Sequence, residues 1–151
     1  MSDKNTVSDK NTVSDKEAII ELAIAYTWAL DTRNFDALDD IFLPDANGML
    51  HGIECTGRNA IKDRISGAVG WFDVTQHLVG NHQVTVTGDT ATHRAQVHAM
   101  HVKNGTPGGD QFVVAGYYDD KLVRTPQGWR IAHRLMQGSW TSGNPGVLPK
   151  R

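Results

Sequence analysis

The chain has 151 residues, a formal net charge of −2 and one cysteine, a length that fits one domain able to bury a single core with room for a pocket. This charge balance offers no basic stripe, which argues against a nucleic-acid partner or an anionic membrane surface and for a small neutral or weakly polar ligand. Cys55 alone makes neither an internal disulfide nor a zinc cluster, no apolar run approaches the ~20 residues of a membrane span, and the polar N-terminus lacks a signal-peptide core, so the expected setting is cytoplasmic.

Residues 1–13 carry SDKNTV twice, with one apolar residue per repeat, and read as a disordered or loosely attached tail. The folded domain is expected over 14–140, with a second tail at 141–151. Ser14-Asp15-Lys16-Glu17 matches a capping box before Ile19, Ile20, Leu22, Ala23 and Ile24, which predicts a helix over about 15–31. A short second helix is expected from Phe35 to Phe42, capped by Asn34 and ended by Pro44. Asn47 to Glu54, broken by two glycines, reads as an irregular hairpin, and Asn59 to Val69 returns to helical spacing through Ile61, Ile65, Ala68 and Val69.

From Val74 the period changes to two. Ala91, His93, Ala95, Val97, Ala99 and His101 share one strand face, and Thr92, Arg94, Gln96, His98 and Met100 share the other, whose mixed character suits a subunit interface. Gly88-Asp89 makes a turn, Asn104 to Asp110 a loop, and Gln111 to Arg124 and Trp129 to Gln137 two further strands. Helices first and mostly antiparallel strands afterwards define an α+β domain.

Two residues stand out chemically. At about 100° per residue, Asp31 falls on the apolar face of the first helix with Ile20, Ile24 and Thr27, so it is either partly buried, needing a hydrogen-bonding partner, or it merely opens the Asp31-Thr32-Arg33-Asn34 turn. His77, in VTQHLVGNH, is the right partner type: an imidazole whose Nδ1–H is held by a carboxylate has a fixed tautomer and a free nitrogen able to take a proton. A lone strand histidine is also commonly structural, so spacing alone leaves both readings open. His82, five residues on, faces away from His77 if the strand is regular. The His98-x-x-His101 pair points to opposite faces, and neither HExxH nor paired cysteines occur, so no metal or other cofactor is expected. There is no GxSxG elbow and no phosphate-cradling loop.

The segments Tyr26-Thr27-Trp28-Ala29-Leu30-Asp31, Asn34-Phe35-Asp36-Ala37-Leu38, Gln76-His77-Leu78-Val79-Gly80-Asn81, Gly88-Asp89-Thr90-Ala91-Thr92 and Gly128-Trp129-Arg130-Ile131 together resemble the SnoaL-like branch of the nuclear transport factor 2-like superfamily. In pattern they are similar to its scytalone dehydratases, bile-acid 7α-dehydratases and hexachlorocyclohexane dehydrochlorinases. The resemblance implies a cone-shaped, curved, mostly antiparallel sheet wrapped around N-terminal helices, with an apolar pocket at the open end. It implies that His77 and Asp31 form a base dyad and that Tyr26 and His101 match pocket residues, although Leu30 stands where scytalone dehydratase has a tyrosine. The expected activity is a cofactor-independent dehydratase acting on a cyclic hydroxylated substrate such as a polyketide, steroid or aromatic compound. An isomerase, a polyketide cyclase, or a non-catalytic binding or dioxygenase small-subunit domain are the alternatives. Met49, Phe72, Val97, Val113 and Trp140 are the candidate pocket wall, and a homo-oligomer, trimer or dimer, is expected from the family.

Overall fold

The computed structural model describes the backbone of residues 2–150 and side chains from residue 15 onward. Helix α1 spans Ser2–Asp31, so it begins twelve residues before the capping box at Ser14. No glycine or proline lies between Ser2 and Asp31, and once a helix is nucleated each further residue adds a hydrogen bond without a new nucleation cost. The repeats therefore have helical backbone, and their side chains lie outside the described residues. Ile19, Ala23, Tyr26, Thr27 and Leu30 are buried at successive three- and four-residue steps, the single stripe that a helix lays against a sheet.

After α1 the chain makes a 3-10 helix over Phe35–Asp40, shorter than the helix expected to reach Phe42, and Asn34 makes no side-chain cap. Strand β1, Phe42–Leu50, starts at once. Pro44 thus lies inside a strand instead of ending a helix. It sits in the stretch between Phe42 and Asn47 where the register with its neighbour shifts, a place where a missing N–H costs no ladder bond. Strand β2 is Ile53–Thr56, and the two are joined by His51 and Gly52, both at positive φ (51° and 76°), the conformation a two-residue hairpin turn requires. Helix α2, Arg58–Val69, buries Ile61, Ile65 and Val69.

Four long strands complete the domain: β3 Val74–Thr87, β4 Thr90–Val102, β5 Gln111–Thr125 and β6 Gly128–Gly143. With β1 and β2 they form one curved six-stranded sheet in the order β2-β1-β6-β5-β4-β3, antiparallel except where β1 runs parallel to β6. The expected α+β fold is thus the one observed, with α1 and α2 against the inner face of the sheet. On β4, Ala91, His93, Ala95, Val97 and Ala99 are buried and alternate with exposed neighbours, as the period of two requires.

Two irregularities shape the sheet. Between Gly80 and Gln83 of β3, two residues oppose one on β4, with Asn81 at φ 53°, so the strand carries a bulge that turns His82 inward. Between Ala115 and Gly116 the β5–β6 register also shifts. There a side chain on Gly116 would put a carbon 2.0 Å from the Gln137 carbonyl oxygen. Beyond Gln137, where the last strand was expected to end, β6 continues to Gly143, and a 3-10 turn over Pro145–Val147 follows. Val147 is fully buried against Phe72 and Phe112, and the Trp71 indole N–H donates to its carbonyl at 3.0 Å.

Candidate active site

The C-terminal end of α1 and the first turns of β3 meet at Asp31 and His77. His77 Nδ1–H donates to Asp31 Oδ1 at 2.6 Å, and the backbone N–H of His77 donates to Oδ2 at 2.8 Å. The Thr75 hydroxyl, two residues earlier on the same strand face, donates to Oδ1 at 3.0 Å. The carboxylate at the negative end of a helix thus receives three donors, the compensation such a position requires. Burial opposes its charge, but the hydrogen bonds from His77 and Thr75 together with the nearby imidazole outweigh it, and the Asp31 carboxyl is held below the usual carboxylate range. Both side chains are largely covered, 7% exposed for His77 and 16% for Asp31. Behind them Arg33, itself at φ 59°, donates to Thr75 Oγ1 at 2.9 Å and to the Phe72 carbonyl at 2.8 Å, tying β3 to the residues that follow α1. With Nδ1–H engaged by Asp31, Nε2 is the hydrogen-bond-accepting nitrogen of the neutral His77 ring.

His77 forms part of the wall of a cavity of about 90 Å³ that opens to solvent. Tyr26, His101, Phe72 and Val97 also line it. The Tyr26 ring is buried, edge-on to Tyr118 (5.6 Å between centroids) and Phe42 (6.0 Å). Desolvation raises the phenol pKa of both Tyr26 and Tyr118, so both remain protonated donors. His101 Nδ1–H donates to the Phe112 carbonyl at 3.1 Å, and its ring lies 5.9 Å from that of His77, edge to face. Burial pushes His101 down to about 4, against the partial opposition of that hydrogen bond. Its ring is therefore neutral near pH 7, with Nε2 as acceptor.

Three expected wall residues are misplaced. Leu50, not Met49, and Val114, not Val113, line the cavity. Val114 pairs directly with inward-facing Ala99, and on a strand an error of one residue reverses the face. Trp140 is 52% exposed and packs edge-on against His98 on the outer side of the sheet (5.6 Å).

The wall also holds residues that the sequence reading missed: His51, Arg64, Tyr118 and Met136. His51 comes from the β1–β2 turn, where desolvation first, then Arg64 and His77, lower its pKa from 6.5. Arg64 had a visible signal, since it falls three residues after Ile61 and four before Ala68, on the apolar stripe of α2. A buried charge network lies beneath the cavity floor. Arg134 grips Asp120 through Nε (2.7 Å) and Nη2 (2.8 Å), and His93 Nδ1–H donates to Asp120 Oδ2 at 2.8 Å. His82 Nδ1 lies 2.9 Å from His93 Nε2. The Arg134 guanidinium stacks under the rings of Tyr26 (4.3 Å) and Tyr118 (4.1 Å), which fixes both phenols from below. Among the described residues no three His, Cys, Asp or Glu side chains are grouped to hold a metal, and no helix is long and apolar enough to cross a membrane.

Comparison with known proteins adds relatives to this geometry. An uncharacterized protein of Mycobacterium tuberculosis is 42% identical over 122 residues, 78% of this chain and 80% of its own. The crystal structure of the Kfla4162 protein from Kribbella flavida is similar with a TM-score of 0.81 and 27% identity, covering 87% of this chain and 95% of that one. A provisionally assigned scytalone dehydratase from Novosphingobium aromaticivorans superposes with a TM-score of 0.75 at 25% identity, covering 94% of this chain and 91% of its own. Hexachlorocyclohexane dehydrochlorinase LinA-type3 from Novosphingobium barchaimii, 18% identical, shares the fold with a TM-score of 0.79 over 95% of this chain and 99% of its own. The model of the SnoaL-like domain matches residues 11–135, and with the cone fold and its pocket in place the chain belongs to this family within the nuclear transport factor 2-like superfamily.

Proposed function

We propose that this protein is a cofactor-independent lyase, a dehydratase that eliminates water from a cyclic hydroxylated substrate. The observation that carries the reading is the 2.6 Å bond from His77 Nδ1–H to Asp31 at the wall of a cavity lined by both apolar and polar side chains. In this reading Nε2 of His77 removes a proton from the carbon next to the substrate carbonyl, and Asp31 holds the ring in place and offsets the imidazolium charge that forms. The electron pair left on carbon moves into the carbonyl as an enolate, whose oxygen accepts from a phenol of Tyr26 or Tyr118. Collapse of the enolate forms the carbon–carbon double bond and breaks the bond to the β-hydroxyl, which leaves as water with the proton returned from His77 Nε2. His101, neutral and with Nδ1–H engaged, accepts a hydrogen bond from a substrate hydroxyl and orients it. The resemblance to a scytalone dehydratase and to dehydrochlorinases supports elimination as the reaction type.

The test is His77→Ala and Asp31→Asn assayed on a panel of cyclic β-hydroxy ketones, with product mass recorded. Each variant is expected to lose about 10²–10⁴-fold in kcat/KM, the usual worth of general base catalysis. Wild-type elimination rates in both variants sink the dyad mechanism, and a product of unchanged mass assigns isomerisation instead.

A further inference from the structure

We propose that the pocket selects an anionic substrate and that Arg64 is the residue that recognises its negative group. Taking the cavity as the substrate pocket rests on the lyase reading, but the claim about charge stands on separate observations. Arg64 lines both the inner cavity and the groove that continues from its mouth. Its Nε is buried and has no hydrogen-bond partner, and no carboxylate among the described residues pairs with the guanidinium. Arg134 Nη1 and Arg58 Nε are likewise buried without a hydrogen bond, but Arg134 is paired with Asp120 and Arg58 with Asp39, whereas Arg64 has no such counter-charge among the described residues. A buried guanidinium donor without an acceptor is costly and calls for an oxygen ligand.

The surrounding charge points the same way. No aspartate or glutamate lines the cavity or the groove, and the second cation of the groove, Lys150, stands at its outer rim. His51 and His101 are pushed towards their neutral forms, and the Asp31 charge is turned towards His77 and Thr75. Arg64 is therefore a permanent cation within a pocket wall that is otherwise apolar or neutral, in a chain whose net charge is −2. An acyclic or ring carboxylate carried by the substrate would lie towards the mouth, at Arg64, while the carbon to be deprotonated lies deeper, at His77. The ligand expected from composition alone, neutral or weakly polar, is revised accordingly.

The experiment measures calorimetric affinity for 2-naphthoate and for the uncharged 2-naphthamide in wild type, Arg64→Gln, Arg64→Lys and His77→Ala. Wild type is expected to prefer the carboxylate by about tenfold or more, with the preference shrinking as salt is raised. Arg64→Gln should abolish the preference while keeping its affinity for the amide, which also reports an intact pocket, and Arg64→Lys should keep part of it. A wild type that does not prefer the carboxylate overturns the proposal, as does an Arg64→Gln or Arg64→Lys variant with the full wild-type preference at a binding-competent pocket. His77→Ala separates the two readings: retained anion preference without elimination supports Arg64 recognition whatever becomes of the dyad, and retained elimination fails the dyad alone.

Discussion

Asp31 and His101 both neighbour the His77 ring and respond to their surroundings in opposite chemical senses. Hydrogen bonds keep Asp31 ionised, whereas desolvation keeps His101 neutral. For His101 the folded-state pKa, about 4, lies below the ordinary value of 6.5, so between these values the unfolded chain binds the proton more readily. Stability is therefore present above about pH 6.5 and falls as pH drops towards 4, by an amount on the order of 2 kcal/mol after allowance for partial exposure. Urea midpoints measured from pH 7 to pH 4 should show this loss in wild type and a flatter profile in His101→Gln; equal slopes would falsify the assignment. At this scale the sequence was informative about identity and weaker about neighbours. The helix angle put Asp31 on an apolar face, but only the fold brings it across forty-six positions to His77. Arg64 was legible as an arginine on an apolar stripe, and His51 was not, because nothing in a turn's composition tells which way it faces.

At the scale of elements, the strands were legible from their period and the phase of each strand was not. Alternation along β4 gave its inner face correctly, because an unbroken run of residues repeats it. Met49 and Val113 were named one residue away from Leu50 and Val114, which face the cavity, because an apolar residue on a strand does not by itself tell which face it takes. Gly116 lies where the β5–β6 register shifts. Gly116→Ala would bring a methyl carbon onto the Gln137 carbonyl, and backbone cannot yield as a flexible side chain does. The expected cost is about 2–3 kcal/mol, seen as a fall in Tm of about 5–10 °C by circular dichroism. An unchanged Tm would mean that β5 and β6 separate there without penalty.

Across the whole molecule, the C-terminal segment packs against the body of the fold. It was expected as a tail, but Val147 completes a small cluster with Phe72 and Phe112, and Asn144 donates to the carbonyls of Pro107 and Gly109. A few well-placed contacts in a polar stretch leave little trace in composition. Removing residues 144–151 should expose Phe72 and Phe112 and free the Trp71 indole, lowering stability by about 1.5–3 kcal/mol, the worth of burying one valine side chain. A red shift of tryptophan emission would accompany it; truncation with neither change would show that the cluster holds without Val147.

The bulge at Asn81 has a further consequence for how this chain tolerates change in length. Before it, odd-numbered residues of β3, Thr75 and His77, face the interior; after it, even-numbered ones do, beginning with His82. The strand is thus written in two reading frames joined at one extra residue. Removing that residue would leave every amino acid of β3 suited to its neighbours in sequence, yet either His77 or His82 would be turned to solvent.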